Sequence, residues 1–145
     1  TQHLTDPDLA AMATFLLGDQ PPQPKLLTEV APDKLTASAQ RGRQDYLNVC
    51  AGCHGSNGEG KPHIAVAMQG NTTLRLEDPR NLLRVIDDGI GEQQFAGFER
   101  MQPMPGFADK LDDQQVTDMV NYLRQAWGGL PGDLNVQQLA ELKAE

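Results

Sequence analysis

Both cysteines of this 145-residue chain fall within one five-residue stretch, Cys50-Ala51-Gly52-Cys53-His54. No other feature narrows the fold as far. Two thiols one turn apart can each add to a vinyl group on one edge of a porphyrin, and the adjacent imidazole then sits under the iron; C-x-x-C-H is the spacing of covalent haem attachment. A neutral imidazole nitrogen is a natural axial ligand for haem iron. Other uses of the same residues fit less well. A disulfide between Cys50 and Cys53 closes too short a loop to stabilise much. A zinc site would have to combine Cys50, Cys53, His54 and His63, with adjacent Cys53 and His54 awkward at one tetrahedral centre and no second C-x-x-C in the chain. A thioredoxin-like use needs flanking strands, which the pattern lacks. The expectation is one covalent haem c, with Cys50 and Cys53 as its thioethers and His54 as an iron ligand.

A six-coordinate iron needs a second donor from a distant loop, and Met101-Gln102-Pro103-Met104-Pro105-Gly106-Phe107 offers one. Prolines on both sides hold Met104 and its neighbour in extended conformations, which stiffens the loop around the thioether. Met104 is the expected distal ligand and Met101 the runner-up. His63 would give a bis-imidazole iron of lower potential instead. An open sixth site, as in a peroxidase-like enzyme or a gas sensor, is the rival reading, with only His63 and His3 as acid/base candidates. Met68 reads as packing, as do Met12 and Met119 on their helix faces. Arg75, Arg80 and Arg84 read first as a solvated surface; any of them, or Asn71 or Trp127, is a candidate partner of a haem propionate.

Composition agrees with a helical wrap around such a group. Leu and Ala number 32 against 10 for Ile and Val, a balance that favours helix over strand, so the expected class is all-α. Aromatic residues make up only 5%, and 14 Gly with 10 Pro leave few large side chains for a core. A bulky apolar cofactor supplies what the sequence lacks. The formal net charge of −8 would repel a phosphate backbone, which excludes nucleic acid as a partner. No apolar run approaches the roughly 20 residues of a transmembrane span. The residues from Thr1 onward show no basic segment followed by an apolar one, so an export signal is expected to be removed or to lie outside this chain.

Along the chain, residues 1–18 read as one helix: Thr5 as N-cap with Asp8 three residues on, Pro7 in the first turn, Leu4 against Leu9, Gly18 at the end. Residues 19–34, with Pro21, Pro22, Pro24 and Pro32, read as a semi-rigid linker. Leu35, Ala39, Gly42, Tyr46 and Val49 mark a helix ending at the cysteine motif, where a glycine in mid-helix implies close approach of another helix. Residues 55–77 and 91–110 read as loops. Asp78 and Pro79 start a helix through Leu82, Leu83 and Ile86 to Gly89. Asp112 with Gln115 caps a helix over 113–126, and residues 130–145 form a tail with a short helix carrying Val136, Leu139 and Leu142 on one face. The segment from Leu4 aligns without gaps onto that from Leu111, at an offset of 107, with identities at Leu4/Leu111, Asp6/Asp113, Met12/Met119 and Leu16/Leu123. Either both are ordinary amphipathic helices, or the first closes a preceding domain of the same kind.

With these residues in hand, the stretch 35–129 resembles the class I c-type cytochromes. Gly42 and Tyr46 are similar to the family's first-helix crossing residues, Met119 and Tyr122 to their partners on the last helix, and 50–54 and Met104-Pro105 to the two ligand sites. The resemblance implies helices wrapped around one haem c, first and last helices crossed, and one-electron transport without substrate chemistry. Val120-Asn121-Tyr122-Leu123-Arg124, Trp127-Gly128 and the helix around Leu82 further resemble the last haem domain of multihaem cytochrome subunits of periplasmic dehydrogenases acting on alcohols or sugar acids. That likeness implies a periplasmic setting, with a dehydrogenase as donor and a membrane oxidase or quinone-linked complex as acceptor. The chain departs from it by holding one haem motif.

Overall fold

The structure, a computed structural model, describes residues 4–19, 30–95 and 100–144. Most of the expected linker, residues 20–29, and His3 lie outside them. The described chain is mostly helical, in agreement with the all-α expectation; its only strands among the described residues are β1 (Gln93–Gln94) and β2 (Arg100–Met101), an antiparallel pair with Gln93 opposite Met101.

Two helices organise the core. α2 (Ala37–Val49) starts at Thr36, whose side chain accepts the Ala39 N–H, and α5 (Asp113–Leu123) starts at the reciprocal Asp112/Gln115 capping box. They cross at Gly42, where a Cβ would lie 1.9 Å from the Asp118 carbonyl oxygen. A mid-helix glycine costs about 1 kcal/mol relative to Ala. Here it admits a second backbone at van der Waals distance, which no side chain would. Ala39 and Tyr46 on α2, with Val116, Met119 and Val120 on α5, are almost wholly buried around the crossing.

A polar seam runs beside this apolar contact. The Asp118 carboxylate accepts from Arg41 at 2.7 and 2.8 Å, from Gln114 at 3.0 Å and from the Ser38 hydroxyl. Burial pushes its pKa up, but the hydrogen bonds from Arg41 and Ser38, aided by the Arg41 charge, hold it below the usual carboxylate range. Its contribution to stability is therefore complete above the ordinary carboxylate pKa of about 3.9 and is lost as pH falls through the lower folded value. Asn121, 1% exposed, donates to Ser38 Oγ and to the Leu134 carbonyl, both at 2.8 Å, and accepts the Leu134 N–H at 3.0 Å. Asn121→Leu strands both backbone groups of Leu134, so urea unfolding should show a loss of about 2 kcal/mol, beyond that of an exposed Asn48→Leu control.

The remaining helices pack on this pair. α4 (Arg80–Asp88) starts one residue later than expected, because Asp78 accepts the Arg80 N–H at 3.0 Å and Pro79 itself precedes the helix; it buries Leu82, Leu83 and Ile86. α5 does not continue regularly to 126: from Arg124 to Gly128 the chain widens into a π-helical turn, closed by Gly129 in the left-handed region. α6 (Val136–Ala144) is capped by reciprocal bonds between Asn135 and Gln138 and buries Leu139. Its Lys143 bridges Asp87 at 3.1 Å and Asp113 at 3.3 Å, tying it to α4 and α5.

The first helix, α1 (Asp6–Leu17), has the expected Thr5/Asp8 capping box but buries none of its residues. Met12, read from the sequence as a core residue, is 47% exposed, and Phe15 is 88% exposed. Its counterpart at the 107-residue offset, Met119, is 1% exposed. The difference lies in the neighbour: α5 packs closely on α2, whereas every residue of α1 is exposed.

Candidate functional site

The cysteine motif sits where α2 ends. Cys50 links α2 to the single turn α3 (Ala51–His54), and the turn stops at Gly55. Its free carbonyls are taken up locally: the Gly60 N–H donates to the His54 carbonyl at 2.7 Å and Lys61 Nζ to the Gly52 carbonyl at 2.6 Å. The Tyr46 hydroxyl, one turn before the motif, donates to the Gly55 carbonyl at 2.6 Å. These bonds hold the turn against the core, so the His54 ring is placed by packed backbone. That ring is 6% exposed, and its Nδ1 is 2.9 Å from the Val66 carbonyl. A carbonyl only accepts, so Nδ1 carries the proton and Nε2 is left with its lone pair for a metal.

Cys50 is buried, with Sγ 3.7 Å from Met119 Sδ, whereas Cys53 is exposed. Burial pushes the Cys50 thiol up to about 12, with Cys53 and Asp45 adding to the shift. The two sulfurs, His54 and Val49 form one wall of an apolar cavity with about 810 Å³ of open space, mouth included.

The segment from Met101 to Pro105, with Phe107 and Ile90, lines the same cavity. Met104 exchanges both backbone hydrogen bonds with Ile90, at 2.9 and 3.0 Å. Behind it, α4 ends at Gly89 with φ of +76°, and a Cβ at that position would lie 2.3 Å from the Met104 carbonyl and 2.6 Å from the Gly106 N. The methionine loop is thus pressed onto the helix end at a point only glycine permits. Gly89→Ala should displace Met104, and in the haem-loaded protein this should lower the redox midpoint and admit carbon monoxide. Wild-type values for both would show that the contact does not position Met104.

The cavity brings together Cys50, Cys53, His54, Met104 and the runner-up Met101. His63 is exposed, with φ of +60°, and lies in a shallow pocket with Arg100 beside Gln102 and Pro103. Met68 packs in the core as expected, as does Met119. Sequence reasoning missed the Val66 carbonyl, the Tyr46 hydroxyl contact and the Ile90–Met104 bridge. Each joins residues distant along the chain, and none carries a local signature. Among the described residues, no group of three His, Cys, Asp or Glu side chains could hold a metal ion alone. One imidazole, two cysteines, two methionines and apolar side chains lining one cavity fit an iron porphyrin instead.

Fold and donor set together define a helical protein built around a covalently attached haem. The cytochrome c family model matches residues 39–127, and the chain belongs to the cytochrome c family. It is 30% identical over 99% of its length to the cytochrome c subunit of the quinone alcohol dehydrogenase of Gluconacetobacter polyoxogenes, covering 32% of that protein. It is 29% identical, again over 99%, to the gluconate 2-dehydrogenase cytochrome c subunit of Pantoea cypripedii, covering 34% of it. The chain thus spans about a third of the length of the curated relatives it matches. Among solved structures it is similar to the c-type cytochrome XoxG from Methylobacterium extorquens AM1, with a TM-score of 0.45 and 24% identity over 74% of this chain and 67% of that one. No helix among the described residues is long and apolar enough to cross a membrane.

Proposed function

We propose that this chain carries single electrons on one haem c, attached through Cys50 and Cys53 and ligated by His54 and Met104. What supports this reading is that one apolar cavity is lined both by an imidazole with Nδ1 engaged by Val66 and by a thioether loop pinned at Gly89 and Ile90. The bound haem supplies the Fe(III)/Fe(II) couple. The residues of the chain do the rest: Val66 orients His54, the apolar walls exclude water, and a soft, neutral thioether favours the reduced state. His54 and Met104 would hold the haem iron and leave no place on it for a substrate, so the group would supply one-electron transfer alone.

The relatives named as dehydrogenase subunits support a dehydrogenase as donor; the proposal places the chain in the periplasm, with a membrane oxidase or quinone-linked complex as acceptor. We take residues 35–129 as the electron-transfer unit, with a tail from 130 onward whose helix α6 (Val136–Ala144) docks on it. α1 shares with α5 a capping box and an apolar pattern at the 107-residue offset, which supports reading 1–18 as the closing helix of a preceding haem domain. Two measurements test the proposal. The reduced, haem-loaded protein should bind carbon monoxide slowly or not at all, and a quinoprotein alcohol dehydrogenase should reduce it rapidly. Prompt stoichiometric binding of carbon monoxide, without reduction by the dehydrogenase, would assign an open-site sensor or enzyme instead.

A further inference from the structure

The helix α6 lies wholly beyond residues 39–127, the stretch that the cytochrome c family model matches. It is nonetheless fixed to that domain. Leu139 is 0% exposed, Leu142 packs on the same core, and Asn121 holds both backbone groups of Leu134 just ahead of the helix. The last turn of α6 carries Lys143, whose Nζ reaches both oxygens of the Asp87 carboxylate, at 3.1 and 3.4 Å, and one of Asp113 at 3.3 Å. Asp87 stands in the last turn of α4, where the helix dipole already concentrates negative charge and α4 has no basic residue of its own. Lys143 supplies the missing cation. The side chains of this pair are 29% and 18% exposed, against 79% and 60% for Arg84–Asp88 on the same helix, so water screens it far less. Burial pushes the Lys143 pKa down, but the hydrogen bonds to Asp87 and Asp113, with their charges, hold it above the usual lysine range.

The backbone of that same turn seats the methionine loop. The Ile86 carbonyl accepts the Phe107 N–H at 2.9 Å, the Asp87 carbonyl accepts the Ala108 N–H at 3.3 Å, and a Cβ on Gly106 would lie 2.4 Å from the Asp87 carbonyl oxygen. Two residues on, Gly89 meets the Met104 carbonyl, and Ile90 exchanges both hydrogen bonds with Met104. Residues 86–90 thus form one template for residues 104–108, of which Met104, Pro105 and Phe107 line the apolar cavity with His54. We infer that Lys143 is a positioning residue for Met104: by holding Asp87 it fixes the end of α4, on which the loop that presents the thioether is seated. The influence of the tail helix passes through one ion pair and one helix turn.

This inference rests on the haem-carrier reading with Met104 as ligand, and its test separates the two. Haem-loaded wild type, K143M, D87N, K143R and D113N are compared by amide hydrogen exchange, by carbon monoxide binding to the reduced form and by redox midpoint. K143M and D87N should each raise exchange at Met104, Phe107 and Ala108 by about tenfold or more, with exchange in α2 unchanged. Both should speed carbon monoxide binding about fivefold and move the equilibrium about threefold toward Fe(III). The two variants change the local charge in opposite directions, so a shared shift comes from loss of the link and not from the field of a single charge. K143R keeps the cation and D113N loses only the tie to α5, so both should stay within about twofold of wild type in every readout. Wild-type exchange in K143M and D87N would overturn the inference, and midpoints moving in opposite directions would reduce Lys143 to a distant charge. If K143M does not fold, D87N decides the matter. A wild-type chain without covalent haem, or one whose reduced form binds carbon monoxide promptly, would overturn the carrier reading instead, while hydrogen exchange still decides whether Lys143 fixes the loop.

Discussion

Met104→Ala shifts the one-electron equilibrium of the haem-loaded protein toward Fe(III) by about a hundredfold or more, which at 59 mV per tenfold is a fall of about 120 mV in midpoint. In the proposed ligation the thioether favours Fe(II), and ligand identity moves haem potentials over a range of roughly 0.8 V, so losing this donor is expected to dominate any packing effect. The companion variant Met101→Ala separates the two candidates. Met101 belongs to the two-residue strand β2, opposite Gln93, while Met104 is fixed on both backbone groups by Ile90 and backed by Gly89. Met101→Ala should therefore stay within about threefold of wild type, less than 30 mV on the same scale. Potentiometric titration of both variants is the check. A large fall in Met101→Ala with none in Met104→Ala would reassign the ligand, and carbon monoxide binding should become rapid only in the variant that has lost it.

Gly42→Ala has the largest expected effect on stability. In an open helix the change gains about 1 kcal/mol. Here the new methyl would lie 1.9 Å from the Asp118 carbonyl, 2.3 Å from its carbon and 2.7 Å from the Met119 nitrogen. All three are backbone atoms of α5, so no side chain can turn aside and the helices must separate. Separation opens the contact around Ala39, Tyr46 and Val120 and stretches the Arg41–Asp118 pair. The expected loss is about 3 kcal/mol or more, at the upper end of overpacking effects. Gly52→Ala is the matched control: it is also helical, nothing lies within 4 Å of its Cβ, and it should be neutral or slightly stabilising. Thermal unfolding of the two variants tests this, and equal midpoints would contradict the crossing described for Gly42.

The parts of this architecture legible in the sequence are those in which a local pattern has one physical use. The capping boxes at Thr5/Asp8 and Asp112/Gln115 are closed within one turn, so residue identities three apart are enough. Gly42 was legible for a similar reason, since a glycine amid helical spacing marks a place where another backbone comes close. The contacts that orient the site were not legible. The Val66 carbonyl that meets His54 is backbone and has no residue signature, and the bridge between Ile90 and Met104 depends on how α4 ends. The widened turn at Arg124–Gly128 follows from packing against residues 72–75, a non-local cause. Met12 shows the same limit in reverse: its helix has a core-like face, but burial depends on a neighbour that helical periodicity does not supply.

In the proposed carrier, iron porphyrin is bonded to this polypeptide through both of its sulfurs. Intact-mass measurement under denaturing conditions, on protein expressed together with haem-attachment machinery, tests it most directly. The predicted result is the mass of the chain plus one haem, with no titratable thiol. The bare chain mass from a folded preparation, with Cys50 and Cys53 both reacting as free thiols after denaturation, would contradict it.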